Sequence, residues 1–183
     1  TLTVLLAPLC VPQPSDIVAW WPFEGNASDL VGTNHGILRG GAGFGAGHVG
    51  QGLTLDGQDD YVLVPDSASL QLTGELTIEM WFKSTSANWG GLIDKRGGGR
   101  ANYGIFISPG DVQLYYDQGG GFAISSSPLP SLDEFHHIAG TYRQISSTSI
   151  ELKTYLDGQL VRTNVFPGNL ANTVNNTPVA IGG

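Results

Sequence analysis

The strongest constraint on how this chain can fold is a stretch of period-two alternation. In Leu76-Thr77-Ile78-Glu79-Met80-Trp81-Phe82-Lys83, the residues Leu76, Ile78, Met80 and Phe82 fall on one side, and Thr77, Glu79, Trp81 and Lys83 on the other. Successive side chains of an extended chain point to opposite faces, so the pattern describes a strand buried on one face and wetted on the other. Similar patterns occur at residues 103–108, 112–116, 136–142 and 150–156, each bounded by turn-forming residues. Strands of this length at short spacing predict a sandwich or barrel.

The turns between them have a chemistry of their own. Ser108-Pro109-Gly110-Asp111 presets one φ with proline and leaves a positive φ to glycine. Asp157-Gly158 suits a type I′ hairpin between Tyr155-Leu156 and Gln159-Leu160, and Gly119-Gly120-Gly121 predicts a reversal before Phe122-Ala123-Ile124. The 27 glycines and 10 prolines, against only 13% charged residues, fit many short strands better than helices. The glycine-rich residues 40–47 lack the Lys-Ser/Thr ending of a phosphate loop and are expected as a loop over the sandwich edge.

Charge and length narrow the function. Eight basic against sixteen acidic residues give a net charge of −8, with the cations scattered, which disfavours nucleic acid as a partner. No run of about 18 apolar residues is present, so no helical membrane span is predicted. Cys10 is the single cysteine, so an intrachain disulfide is impossible. Residues 2–11 are apolar and have two open readings, a secretory signal remnant or a β-strand, followed by a proline-rich linker. The predicted organisation is an extension and linker over residues 1–15 and one all-β domain over residues 16–183.

Three segments in order carry a resemblance: Ile17-Val18-Ala19-Trp20-Trp21-Pro22-Phe23-Glu24, then Leu55-Asp56-Gly57-Gln58-Asp59-Asp60-Tyr61-Val62, then residues 76–81. Phe135-His136-His137-Ile138-Ala139-Gly140-Thr141-Tyr142, Tyr155-Leu156-Asp157-Gly158 and Ile181-Gly182-Gly183 follow. Together they resemble the laminin-G-like, concanavalin A-like jelly roll, in a bacterial secreted branch related to pentraxins. The resemblance implies a two-sheet antiparallel jelly-roll sandwich, secreted or on the cell surface, that binds carbohydrate or mediates adhesion without catalysis. Its implied partners are a glycan or an extracellular protein. Family members continue past the Ile-Gly-Gly strand into a final strand that pairs with the N-terminal one. An edge left open there would be a template for another strand, and residues 2–6 are the candidate to fill it, in the same chain or a neighbouring copy. The alternative function is therefore a structural subunit of an extracellular filament or sheath, a homo-oligomer joined by strand donation.

The candidate ligand-binding residues are Trp89, Tyr103, Tyr115, Tyr116 and Phe122, which lie on or near turn-proximal strands where an aromatic face could stack on a sugar ring. Trp20, Trp21 and Trp81 are assigned to packing. For metal, Glu24, Asn26 and Asp29 offer the oxygen ligands that Ca2+ prefers as a structural ion, and the same residues read equally as a polar turn. His136 and His137 are adjacent in a strand, so they point to opposite faces and cannot share one ion. The acidic groups Asp56, Asp59, Asp60 and Asp133, Glu134 lack the alternating spacing of the sugar-cleaving relatives and are read as solvated turn carboxylates.

Overall fold

The computed structural model describes residues 14–183. The proposed strand donor at residues 2–6 and the signal-or-strand alternative lie outside the described residues. Every strand pairing is antiparallel, and the only helical elements among the described residues are 3₁₀ turns at Ala68–Leu70 and Leu170–Thr173. No helix among them is long and apolar enough to cross a membrane.

In chain order the strands are β1 (Ile37–Arg39), β2 (Gly43–Ala46), β3 (Gln51–Thr54), β4 (Tyr61–Val64), β5 (Leu76–Phe82), β6 (Gly90–Gly97) and β7 (Arg100–Ser108). They continue with β8 (Asp111–Asp117), β9 (Ala123–Pro128), β10 (His136–Ser146), β11 (Ser149–Leu156), β12 (Gln159–Pro167) and β13 (Val179–Gly182). A seven-stranded sheet has the order β1-β4-β13-β6-β7-β8-β9, and a four-stranded sheet the order β12-β11-β10-β5. This is the two-sheet antiparallel jelly-roll sandwich that the resemblance implies, and of the sandwich or barrel predicted by the alternation it is the sandwich. The Ile-Gly-Gly segment, β13, lies inside the larger sheet between β4 and β6.

The glycine-rich segment departs from its expected loop. Residues 43–46 pair with β3 in a hairpin of their own, and a Cβ on Gly45 or Gly47 would press on Thr54 or the Gln51 backbone. Glycine thus serves close approach of two strands, a use that composition alone reads as looseness. The three predicted turns form as expected. Asp157 and Gly158 both take positive φ (49° and 76°), as a type I′ turn requires.

The core fills the space between the sheets with Val62, Val64, Ile105, Ile107, Leu114, Ile138, Ile150, Leu152 and their neighbours. Truncating such a residue to alanine costs about 2–5 kcal/mol in lost burial and cavity formation. Tyr142 of β10 ties the layers with polar bonds. Its buried hydroxyl donates to Tyr115 O at 2.9 Å and accepts from Gly104 N at 3.1 Å, both in the opposite sheet. Ser125 and Thr154 join hydroxyls at 2.9 Å in the same interlayer space. Residues 17–23 lie against the core through Ala19, Trp21 and Phe23, while Trp20 is exposed.

Candidate functional site

The outer face of the seven-stranded sheet gathers most of the expected ligand-binding aromatics. On β7, Tyr103, Ile105 and Ile107 point into the core, which sends Phe106 outward. On β8, Val112, Leu114 and Tyr116 point inward, which sends Tyr115 outward. Trp89 and Phe122 stand one residue before β6 and β9. The four rings form a continuous row: Trp89 stacks on Phe106 at 5.4 Å, Phe106 meets Tyr115 edge-on at 5.0 Å, and Tyr115 meets Phe122 edge-on at 5.3 Å. Such offset and edge contacts hold rings in fixed orientation and add about 0.5–1.5 kcal/mol each beyond burial. Trp89 is 68% exposed and Phe122 49%, whereas Tyr115 is covered.

Tyr115 is the floor of the row. Its ring lies across Gly104, where any Cβ would overlap it, and reaches toward Asp94, the β6 partner of Gly104. Burial pushes the Tyr115 hydroxyl far above its ordinary range, and the nearby Asp94 carboxylate adds to this. Asp94 is itself raised, by burial first, with partial relief from the Tyr115 hydroxyl and from Arg96, whose Nε lies 3.2 Å from Oδ2. Asp94 Oδ1 is buried without a hydrogen-bond partner. Arg96 also stands over the Phe122 ring at 6.0 Å.

The other two expected aromatics belong elsewhere. Tyr103 is buried on the inner face, with its hydroxyl donating to Leu70 O at 3.2 Å. Tyr116 is likewise in the core, and its hydroxyl, pushed up to about 12 by burial, donates to Pro167 O at 3.2 Å. Tyr116 still lines the back of a cleft of about 240 Å³ whose front includes Phe122, Phe166 and Pro167. Neither ring has a face free for stacking, because period-two alternation places both on the core side of their strands. Phe106 was missed as a site residue, although its alternation with Ile105 and Ile107 marks it as outward.

The expected metal ligands are engaged by backbone amides. Asp29 is buried and accepts from Trp20 N, Val31 N and Asn34 N at 3.0, 3.0 and 3.1 Å. Burial alone would raise its pKa, but these amide bonds, with Gly32, hold it below the ordinary carboxylate value. The Glu24 carboxylate accepts from Gln51 N, and Asn26 Oδ1 accepts from Ser28 N at 2.9 Å. These bonds have the pattern of a polar turn, in which short side chains organise their own loop. One group of carboxylates does converge: Asp56, Asp59 and Asp60 place ligand atoms within 4.8 Å of one another. Oxygen-only donors in that number suit a hard cation such as Ca2+. Asp60 also accepts from Gly41 N and, at 2.9 Å, from Asp56 N, so the group anchors its loop.

The outer face of the four-stranded sheet carries a different cluster. Trp81 is 50% exposed rather than packed inside. His48, from the tip between β2 and β3, stacks on Trp81 at 3.7 Å, and His137 meets Trp81 edge-on at 5.2 Å. The neighbouring His136 instead bonds Asp157 at 2.8 Å and Ser131 at 3.0 Å, so the two histidines are separated as expected.

Comparison with known proteins places this fold. It superposes on a botulinum neurotoxin binding domain in complex with rat synaptotagmin II with a TM-score of 0.62 at 11% identity, over 84% of this chain and 40% of that one. A structure concerning cell entry of botulinum neurotoxin type C through two ganglioside molecules gives 0.63 at 12% identity, over 85% and 39%. Domains LG4-5 of the mouse laminin alpha1 chain give 0.47 at 18% identity, over 66% and 31%. The chain thus spans at most about two fifths of these structures. Among curated proteins none matches it in sequence. The laminin G family described as the Concanavalin A-like lectin/glucanases superfamily matches residues 56–183, and the chain belongs to that family.

Proposed function

We propose that this chain is a non-catalytic carbohydrate-binding or adhesion module of the cell surface or extracellular space, and that it holds a glycan on the outer face of the seven-stranded sheet. The observation that carries this reading is the row Trp89–Phe106–Tyr115–Phe122 beside Asp94. Sugar rings present apolar C–H faces and polar rims. Exposed, pre-oriented aromatic rings match the faces, while a carboxylate and a guanidinium match the rims. Little order remains to be imposed on binding, because Trp89 is fixed by Phe106 and Phe122 by Tyr115. The toxin domains that share the fold have structures concerned with rat synaptotagmin II and with cell entry through gangliosides, which is consistent with recognition at a cell surface.

A glycan array run with and without calcium tests the reading. Retention of defined glycans that disappears in Trp89→Ala and Phe122→Ala supports it, and an array blank in both conditions refutes it. Release of reducing sugar from β-glucans would refute the non-catalytic part. Calcium belongs to the reading as a structural ion at Asp56, Asp59 and Asp60. A rise in melting temperature with calcium over a chelated sample, lost in Asp59→Asn, is the expected result.

A second reading, a filament or sheath subunit, is supported by the open edges of both sheets: among the described residues β5 and β12 end the four-stranded sheet and β1 and β9 the seven-stranded one, each with a hydrogen-bonded neighbour on one side only. Concentration-dependent polymers that vanish on deletion of residues 1–14 are its expected signature.

A further inference from the structure

At the tip between β6 and β7 lies a cleft of about 470 Å³, lined by Gln71, Gly97, Gly98, Arg100, Asn175 and Asn176, with Val174 as its apolar contact. The volume falls within the range of about 300–1,000 Å³ usual for small-molecule sites. The hairpin is built to present Arg100. Gly97 pairs with Arg100 across Gly98 and Gly99, both at positive φ (61° and 75°), a two-residue turn that residues with a Cβ rarely adopt.

The charge around the cleft is unusual for this chain. Asp66, bonded to the lining residue Gln71, is held ionised and already neutralised. Burial opposes its charge, but Lys95 Nζ at 2.5 Å and Gln71 Nε2 at 2.7 Å outweigh that and hold its pKa below the ordinary value. Arg100 has no carboxylate within salt-bridge distance among the described residues. In a chain of net charge −8, the cleft therefore keeps one uncompensated guanidinium.

The amides around it are sorted by what they have left. Asn175 is fully engaged, with Nδ2 donating to Lys95 O at 3.1 Å and Oδ1 accepting from Thr177 N at 3.1 Å. Gln71 donates its amide to Asp66, which leaves Oε1 as an acceptor, and Asn176 is exposed at the mouth. A guanidinium next to an acceptor oxygen favours a ligand that brings both an anion and a hydroxyl donor. Phosphate at neutral pH carries only one or two hydroxyl donors, so it can meet the guanidinium and Gln71 Oε1 but has no further hydroxyls to reach Asn176 at the mouth.

We propose that this cleft is a second ligand site, separate from the aromatic row, for an acidic monosaccharide unit such as a uronic or sialic acid. Its carboxylate pairs with Arg100 in the two-point geometry that guanidinium favours, and its hydroxyls bond Gln71 Oε1 and Asn176. The test is a chemical-shift titration of the protein at low salt with galacturonic acid, N-acetylneuraminic acid, galactose and inorganic phosphate. The expected result is saturable binding of at least one acidic sugar, weakened by added salt and at least about tenfold by Arg100→Gln, with galactose and phosphate much weaker. Asn176→Ala should weaken the acidic sugar, while Trp89→Ala should leave it unchanged. Three outcomes overturn the proposal: neither acid binds, binding survives Arg100→Gln in a variant that melts normally, or phosphate binds as well as the sugars. Loss of the aromatic-row function in Trp89→Ala, or its absence, does not affect this result, so the two sites fail independently.

Discussion

The two sheets wear different outer faces, though both are antiparallel and both alternate in the same way. On the seven-stranded sheet, four aromatic rings touch in sequence across β6 to β9, with a buried carboxylate oxygen left unpaired beside them. On the four-stranded sheet the exposed Trp81 is already covered on one face by His48 and flanked by His137. Farther along the same sheet lies the ion pair of Lys153 with Glu151 at 3.2 Å. The difference teaches that an exposed indole is not in itself a binding surface. What counts is whether further exposed rings continue the surface, as Phe122 does in the row of Trp89, and whether neighbouring polar atoms still lack partners.

The comparison is sharpened most by paired substitutions at the two tryptophans. Trp89→Ala should weaken binding of an array-identified glycan by about 2 kcal/mol, roughly thirtyfold, as expected for a central aromatic anchor. Trp81→Ala should leave that affinity unchanged, and calorimetric titration of both variants reads the contrast. Next in size, Gly104→Ala should displace the Tyr115 ring and lower stability by about 1–3 kcal/mol in urea denaturation while also weakening the glycan. The equivalent disturbance on the other face, His48→Ala, should cost about 0.5–1.5 kcal/mol of stability and no affinity.

The smallest effects are in pH dependence, and their signs oppose. Asp94 has its pKa raised above 3.8 by burial, so it binds its proton more tightly when folded. Its contribution is complete below that value and is lost as pH rises through the raised folded value. Asp157, at the turn of the four-stranded sheet, is lowered below 3.8 by hydrogen bonds from His136 and then His137 N. Its contribution is present above 3.8 and is lost as pH falls through the depressed folded value. Denaturation midpoints followed across acidic pH should therefore lose opposite slopes in Asp94→Asn and Asp157→Asn. Equal slopes in the two variants would erase the distinction between the faces.

Much of this was legible in the residues because alternation is a local signal. It separates His136 from His137, and it also puts Trp81 outward among Thr77, Glu79 and Lys83 and Phe106 outward between Ile105 and Ile107, although Trp81 was assigned to packing and Phe106 was passed over. Applied to Tyr115-Tyr116, the same rule allows only one of the pair to join Trp89 and Phe122. What sequence could not supply is which strands become neighbours. Trp89, Phe106, Tyr115 and Phe122 make a row only because β6 to β9 lie side by side, and Asp94 meets Tyr115 only through the register of β6, β7 and β8. The polar loop at Glu24, Asn26 and Asp29 was ambiguous for a related reason: turn formation and cation binding use the same oxygens, and which backbone amides they accept from is fixed only in the folded chain.

The most direct test follows the indole N–H resonances of Trp89 and Trp81 during titration with the glycan that gives the strongest array response. The Trp89 signal should shift to saturation with the same affinity as calorimetry while the Trp81 signal stays in place. A saturating shift at Trp81 with Trp89 unmoved would contradict glycan binding on the aromatic row.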